Sequence, residues 1–173
     1  KAVEYIRGQF LGMGLAGVEL EEFELNTWAH GRAEARVDDV AIDLLPYNRC
    51  PACALEAPIV DAGFGTEHEL DKVRDQLKGR VAVMHLAMEP FTTPVPANIR
   101  LEALAEAGVV AVVAIDPKDG RRVEYHNGGD WREPETAELP FPAVTTSREH
   151  GRLLQQWAKE GRRLKLVVES RFY

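Results

Sequence analysis

Two apolar stretches decide how this sequence is read: Arg80-Val81-Ala82-Val83-Met84-His85-Leu86 and Val109-Val110-Ala111-Val112-Val113-Ala114-Ile115. The second is seven residues long, rich in valine and apolar on both faces. A short run of that kind suits a strand covered on both sides, the situation of parallel sheets. Between the two stretches lie a loop with three prolines, Glu89 to Pro96, and a segment from Ala97 to Ala107 that is apolar at Leu101, Leu104 and Ala105. That spacing predicts a helix, and Gly108 supplies a left-handed stop. Strand, helix and strand in this order predict a parallel pair joined by a right-handed crossover.

Outward from this unit the pattern becomes mixed. Toward the N-terminus, Val3, Ile6 and Phe10 fall at i, i+3 and i+7, which predicts a helix ended by Gly12 and Gly14. Val18 to Leu25 alternates apolar residues with glutamates and predicts a half-buried strand. Ala29-His30-Gly31 reads as a turn, and Ala33, Ala35 and Val37 as the apolar face of an antiparallel strand. Pro46 to Pro58 is expected to be irregular, followed by a short strand at Ile59-Val60. Thr66-Glu67-His68-Glu69 has the pattern of a capping box, so a short helix should carry Leu70 and Val73. Toward the C-terminus come a turn at Asp116 to Gly120 and strands at Arg122 to Tyr125 and Pro142 to Val144. A polar, proline-flanked stretch, Trp131 to Pro140, separates those two strands. Thr146-Ser147-Arg148-Glu149 repeats the capping pattern before a helix with His150, Leu153, Leu154 and Trp157 on one face. Leu164, Leu166 and Val168 then alternate in a final strand.

Composition narrows the class. The 173 residues fit one domain of ordinary size, and 45% hydrophobic with 28% charged residues excludes disordered and collagen-like chains. Twenty-one basic and 28 acidic residues give a net charge of −7. Such a surface repels phosphate backbones and anionic lipid, so no nucleic-acid partner and no membrane contact is expected. A bilayer span needs about 18 consecutive apolar residues. The longest run here is the seven from Val109 to Ile115. The chain opens on Lys1 rather than methionine, and is expected to be a piece of a longer one.

Chemistry-bearing motifs are sparse. Cys50-Pro51-Ala52-Cys53 has redox spacing, but lies in a proline-bounded loop with no clear helix after it to stabilise a thiolate. A structural zinc site needs four ligands, and no second Cys-x-x-Cys exists. His30, His68, His85, His126 and His150 are scattered, without a His-Glu-x-x-His helix. Cys50 and Cys53 read best as a loop staple or two buried thiols, and His85 as a core or edge histidine. Glu19, Glu21, Glu22 and Glu24 read as a solvated strand face. There is no Gly-x-Ser-x-Gly elbow and no phosphate loop. No residue is therefore assigned a catalytic or metal-binding role. Two loops are candidate contact surfaces: Glu89 to Pro96 with Phe91, Thr92 and Thr93, and Asn127 to Pro134 with Trp131 beside Arg132. The alternative is that Phe91 and Trp131 fold inward.

Several stretches, in order, resemble a protease-associated domain. Ala57-Pro58-Ile59-Val60-Asp61-Ala62-Gly63-Phe64-Gly65-Thr66 and Leu77-Lys78-Gly79-Arg80-Val81-Ala82-Val83 look like its opening. The helix from Ala97 and the run Ala107-Gly108-Val109-Val110-Ala111-Val112-Val113 resemble its centre. Leu139-Pro140-Phe141-Pro142-Ala143-Val144, followed by Ser147-Arg148-Glu149-His150-Gly151, resembles its close. Such domains are inserted in zinc aminopeptidases and in the glutamate carboxypeptidase and transferrin-receptor group. Tyr5 to Leu15 and Val18 to Leu25 look like the helix and strand that precede the insertion there. The resemblance does not call for Cys50-Pro51-Ala52-Cys53.

The resemblance implies a mixed α/β fold. It would be a swivelling β/β/α domain with a partly parallel sheet, a second antiparallel sheet and helices on one side. Residues 1–45 would flank it, and residues 46–173 would form the domain itself. The implied role is non-catalytic: a lid, access or interaction domain of a zinc metallopeptidase of the aminopeptidase type. Zinc is then expected in a catalytic part outside this chain, and no cofactor within it. The implied partners are that catalytic part and a peptide or protein substrate, and the family favours a secreted or cell-envelope location. The alternatives are a small redox or metal protein built on Cys50 and Cys53, and a stand-alone interaction module.

Overall fold

The computed structural model describes residues 1–23, 27–127 and 138–172. The deciding unit folds as expected. Strand β5 (Val81–His85) and strand β6 (Ala111–Ile115) are parallel, with Val83 opposite Val113, and helix α4 (Ala97–Glu106) joins them. Around it stand β1 (Trp28–Val37), β2 (Val40–Ile42), β3 (Leu44–Pro46), β4 (Cys53–Asp61), β7 (Ala143–Thr146) and β8 (Arg163–Phe172). The remaining helices are α1 (Ala2–Gly12), α2 (Glu67–Asp71), α3 (Arg74–Leu77) and α5 (Arg148–Lys159).

The strands form one eight-stranded sheet in the order β2-β1-β8-β4-β5-β6-β7-β3. Strand β4 is its pivot. Residues Cys53 to Pro58 pair antiparallel with β8, and Ile59 to Asp61 pair parallel with β5. The mixed architecture is thus a parallel half and an antiparallel half sharing one strand. β2 and β3 lie at opposite ends of the order, yet only Asp43 separates them in sequence. The sheet therefore curls until its edges nearly meet, which shields strand edges from pairing with other chains.

Period-two alternation builds the core. Val81, Val83, Ala111, Val113, Ile115 and Val144 face a cluster that includes Leu154 of α5 and Leu164 and Leu166 of β8. Ala82, Met84, Val112, Ala114 and Ala143 face the other way, against Leu101 and Leu104 of α4, Leu70 of α2 and Leu77 of α3. Every residue of β6 is buried. Each large aliphatic side chain so buried contributes about 1.5–3 kcal/mol before conformational entropy is subtracted. Helix α5 lies so close to β6 that a Cβ on Gly151 would meet Ile115 Cγ2 at 2.5 Å.

Helices thus cover both faces of the parallel half rather than one side, because its strands are apolar on both faces. Other expectations also need correction. Of the strand expected over Val18 to Leu25, the part to Phe23 forms none, and Glu24 and Leu25 lie outside the described residues: Leu20 and Phe23 are exposed, and alternation alone supplies no pairing partner. Ala29-His30-Gly31 is not a turn but part of β1, paired with β8, and the register shifts between His30 and Ala33. The Pro46–Pro58 stretch is irregular only from Tyr47 to Ala52, because Pro46 ends β3 and Cys53 opens β4. Pro58, without an N–H, is accommodated where β4 changes partner. Arg122 to Tyr125 is not a strand.

Both capping patterns work differently from the sequence pattern. Ser147, not Thr146, caps α5, accepting from His150 N at 3.3 Å. Glu149 turns outward to accept from the N–H groups of Gly120 and Arg121. Thr66 precedes α2 without a side-chain cap, and its hydroxyl donates to Glu89 Oε2 at 2.9 Å. Helix α1 exists as expected but buries none of its residues. Strands β1 and β2, in the leading 45 residues, are hydrogen-bonded into the same sheet as the rest.

Candidate functional site

Parallel strands that share a direction bring their carboxyl ends to one edge, where α/β sheets place their sites. Here that rim gathers Asp61 at the end of β4, His85 at the end of β5, Asp116 after β6 and Ser147 after β7. Asp61 Oδ1 accepts from Gly63 N at 3.1 Å and from Gln155 Nε2 at 3.1 Å, and its Oδ2 lies 3.0 Å from the same amide. Gln155 Nε2 is also 3.1 Å from His85 Nε2. Because the amide nitrogen only donates, His85 Nε2 accepts and Nδ1 carries the ring proton. Burial lowers the His85 pKa, with Asp61 opposing and Arg148 adding to the shift. The ring is neutral and packs at 5.0 Å from Phe64. Carboxylate, amide and imidazole thus satisfy one another and brace the ends of β4 and β5 against α5.

The loop after β5 is held from beneath. Arg100 on α4 is 3% exposed, and its Nη1 and Nη2 donate to the carbonyls of Phe64, His85, Ala87 and Leu86. Beyond this clamp, Phe91 is fully exposed at φ +62°, a conformation uncommon for a bulky residue. Thr92 Oγ1 donates to Glu89 O at 3.0 Å, and Thr92 and Thr93 are exposed. Phe91 therefore does not fold inward. Glu89 also lies 2.9 Å from His68 Nε2, which is 3.5 Å from Glu69. Trp131 and Arg132 lie outside the described residues.

A second polar group stands at the end of β6. Asp116 is 1% exposed; its Oδ1 accepts from Lys118 N at 2.8 Å, and its Oδ2 is buried without a partner. Glu124 and His126 approach it, and one ligand atom from each of the three lies within 4.8 Å of the others. His126 Nε2 is likewise buried and unpaired. The His126 ring stacks on Tyr47 at 5.5 Å, and its carbonyl accepts from Asn48 N at 2.8 Å. Glu124 pairs with Lys118 and, at 3.3 Å, with Arg122; the Lys118 hydrogen bond holds its carboxyl below the usual range. None of these three residues was singled out as a ligand from the sequence. The available signal was an acid directly after a strand apolar on both faces.

Cys50 and Cys53 are free thiols. Burial pushes the Cys50 thiol up to about 12 and raises Cys53 as well. The reactive form is the thiolate, so these shifts disfavour reactivity of both at neutral pH. At the amino ends of the parallel strands lies a groove of about 710 Å³ lined by Arg36, Asp38, Glu56, Arg162 and Arg163, among others. Arg162 pairs with Asp38 and Glu160, and Arg163 with Glu56, so these charges neutralise one another. Asp116 Oδ2 and His126 Nε2, by contrast, are buried without partners.

No protein-family model matches the sequence, and no curated protein does. Solved structures do match its fold. An aminopeptidase from Aneurinibacillus sp. strain AM-1 superposes over 99% of this chain with a TM-score of 0.75 at 19% identity. A zinc aminopeptidase from Bacillus subtilis covers 99% with a TM-score of 0.69 at 16% identity. A subtilisin-like protease from Pseudoalteromonas sp. AS-11 covers 86% with a TM-score of 0.55 at 10% identity. This chain spans only 39%, 39% and 35% of those three chains, respectively. The chain thus has the fold of one part of larger peptidases, as its resemblance to a protease-associated domain implies.

Proposed function

We propose that the chain is a non-catalytic accessory domain of a zinc metallopeptidase of the aminopeptidase type. In this reading residues 46–173 form the protease-associated domain and residues 1–45 flank it. Zinc belongs to a catalytic part elsewhere in the parent. Phe91, Thr92 and Thr93, with Trp131 and Arg132, contact a peptide or protein substrate. The observation that carries this is the disproportion of the match: almost all of this chain aligns with well under half of each peptidase. Support also comes from the same fold occurring in proteins described as a zinc aminopeptidase and as a subtilisin-like protease. A module common to both is suited to shaping access rather than performing either chemistry. The Arg100 clamp fits this role, because it fixes the base of a loop whose tip is left in solvent.

The test has two arms. The purified 173-residue chain is expected to hydrolyse no aminoacyl or peptide substrate with or without zinc. The parent peptidase is expected to lose discrimination among longer peptides when residues 46–173 are removed, while still cleaving small aminoacyl substrates. Zinc-dependent turnover by the chain alone, lost on substituting one of its histidines, overturns the reading.

A further inference from the structure

We propose that Asp116, Glu124 and His126 form a binding site for one divalent first-row transition cation, of the zinc or manganese class. The inference goes beyond the accessory role and does not depend on it. The starting point is Asp116. A carboxylate that is 1% exposed, with Oδ2 lacking any hydrogen-bond donor, is an unmet demand for positive charge. His126 presents a second such atom, since its Nε2 is buried and unpaired too. A carboxylate oxygen and an imidazole nitrogen left bare on two residues of one three-ligand cluster differ from a braced set such as Asp61, Gln155 and His85, in which the partners are already present.

The geometry is close to coordination. Ligands held at about 2.0–2.2 Å from one tetrahedral ion stand about 3.4 Å apart. The three ligand atoms here lie within 4.8 Å of one another, so modest side-chain rotation closes the set. Asp116 and His126 are the fixed members. The first follows a fully buried strand and has its other oxygen anchored by Lys118 N; the second is stacked on the buried Tyr47. Glu124 is the mobile member, because its ion pairs with Lys118 and Arg122 are exposed and easily exchanged. One nitrogen and two oxygen donors favour zinc or manganese over calcium or magnesium, which take oxygen ligands alone. Three protein ligands leave a position for water or for a donor from another molecule. The cluster His68, Glu69 and Glu89 gives the contrast: Glu89 already accepts from Thr66 and lies 2.9 Å from His68 Nε2, and Glu69 pairs with Lys72.

The experiment is calorimetric titration of the chelator-stripped 173-residue chain with Zn²⁺, Mn²⁺, Ca²⁺ and Mg²⁺, with Co²⁺ absorption as a spectroscopic readout. One equivalent of Zn²⁺ or Mn²⁺ should bind. Asp116→Asn and His126→Ala should each weaken that binding by about 10- to 100-fold and abolish the Co²⁺ ligand-field bands. Glu124→Gln should weaken it less, and His68→Ala not at all. The His126→Ala variant carries the test if Asp116→Asn does not fold. Absence of saturable Zn²⁺ or Mn²⁺ binding at millimolar concentration overturns the proposal. So does binding that survives His126→Ala, which would belong to another set such as the cysteines, and so does a preference for Ca²⁺.

Discussion

Helices α1 and α5 start from similar sequence patterns and end in opposite surroundings. Both repeat apolar residues at helical spacing. α5 is laid against the sheet with Leu154 buried, Trp157 partly buried and Gly151 pressed to Ile115. α1 buries nothing, and Val3, Tyr5, Ile6, Phe10 and Leu11 are all exposed. Periodicity therefore predicts a helix in both cases but cover in only one. What separates them is position: α5 links β7 to β8 across a parallel sheet that needs a helix on that face, whereas α1 precedes the sheet. The loop at Phe91 belongs with α1, apolar and outside the core.

Val112 is fully buried at the centre of β6, facing α4. Val112→Asp should place an unpaired charge there at a cost of several kcal/mol, giving an unfolded or insoluble chain. A soluble variant with unchanged Tm would mean that the sheet is not packed as described. Next in size, Gly151→Ala should cost about 1–3 kcal/mol by forcing α5 away from Ile115. Chemical denaturation measures it. Ser147→Ala, which removes the cap that binds His150 N, should cost about 1 kcal/mol. Gly→Ala at position 8 of the uncovered α1 is the control. Nothing lies within 4 Å of that site, so its helix propensity should rise without strain.

A smaller effect is read by pH. The folded-state pKa of His85 lies below its unfolded value, mainly because burial disfavours the charged ring. The unfolded state then binds more protons, so stability from this group is present above the unfolded pKa and is lost as pH falls through the folded one. Tm should drop on going from about pH 7 to about pH 5, and less steeply in His85→Gln. Equal slopes in the two proteins would remove His85 as the cause.

These contrasts explain how much the sequence disclosed. The β5–α4–β6 unit was legible because its signals are local: a valine run, a helical period and Gly108 as a stop. The long pairing of β1 with β8 was not, because Trp28 to His30 become strand only through β8 residues some 140 positions later, Ser170 to Phe172. Cys53 to Pro58 was hidden for the same reason, since its partners are Arg163 to Val168. Of the site, the Phe91 loop could be seen from its prolines and its place after a strand. Asp116 with His126 could not, because the pair is made by the return of an irregular segment to the end of β6, and no spacing rule encodes that return.

The smallest expected effect on stability tests the uncovered side most sharply. Phe91 sits at φ +62° with its ring in solvent. Replacing it by alanine keeps the left-handed backbone and removes no packing, so the isolated chain should keep its stability to within about 0.5 kcal/mol. Replacing it by glycine relieves about 1–2 kcal/mol of left-handed strain but loosens the unfolded chain by a comparable amount, so Tm should again stay nearly constant or rise slightly. Under the proposed accessory role, Phe91→Ala in the full-length protein should raise KM for longer peptides, with kcat on small aminoacyl substrates unchanged. If instead Phe91→Ala lowers the Tm of the chain by several degrees while the folded parent keeps normal KM values, Phe91 is a packing residue, and the difference between the covered and the uncovered apolar surface disappears at that loop.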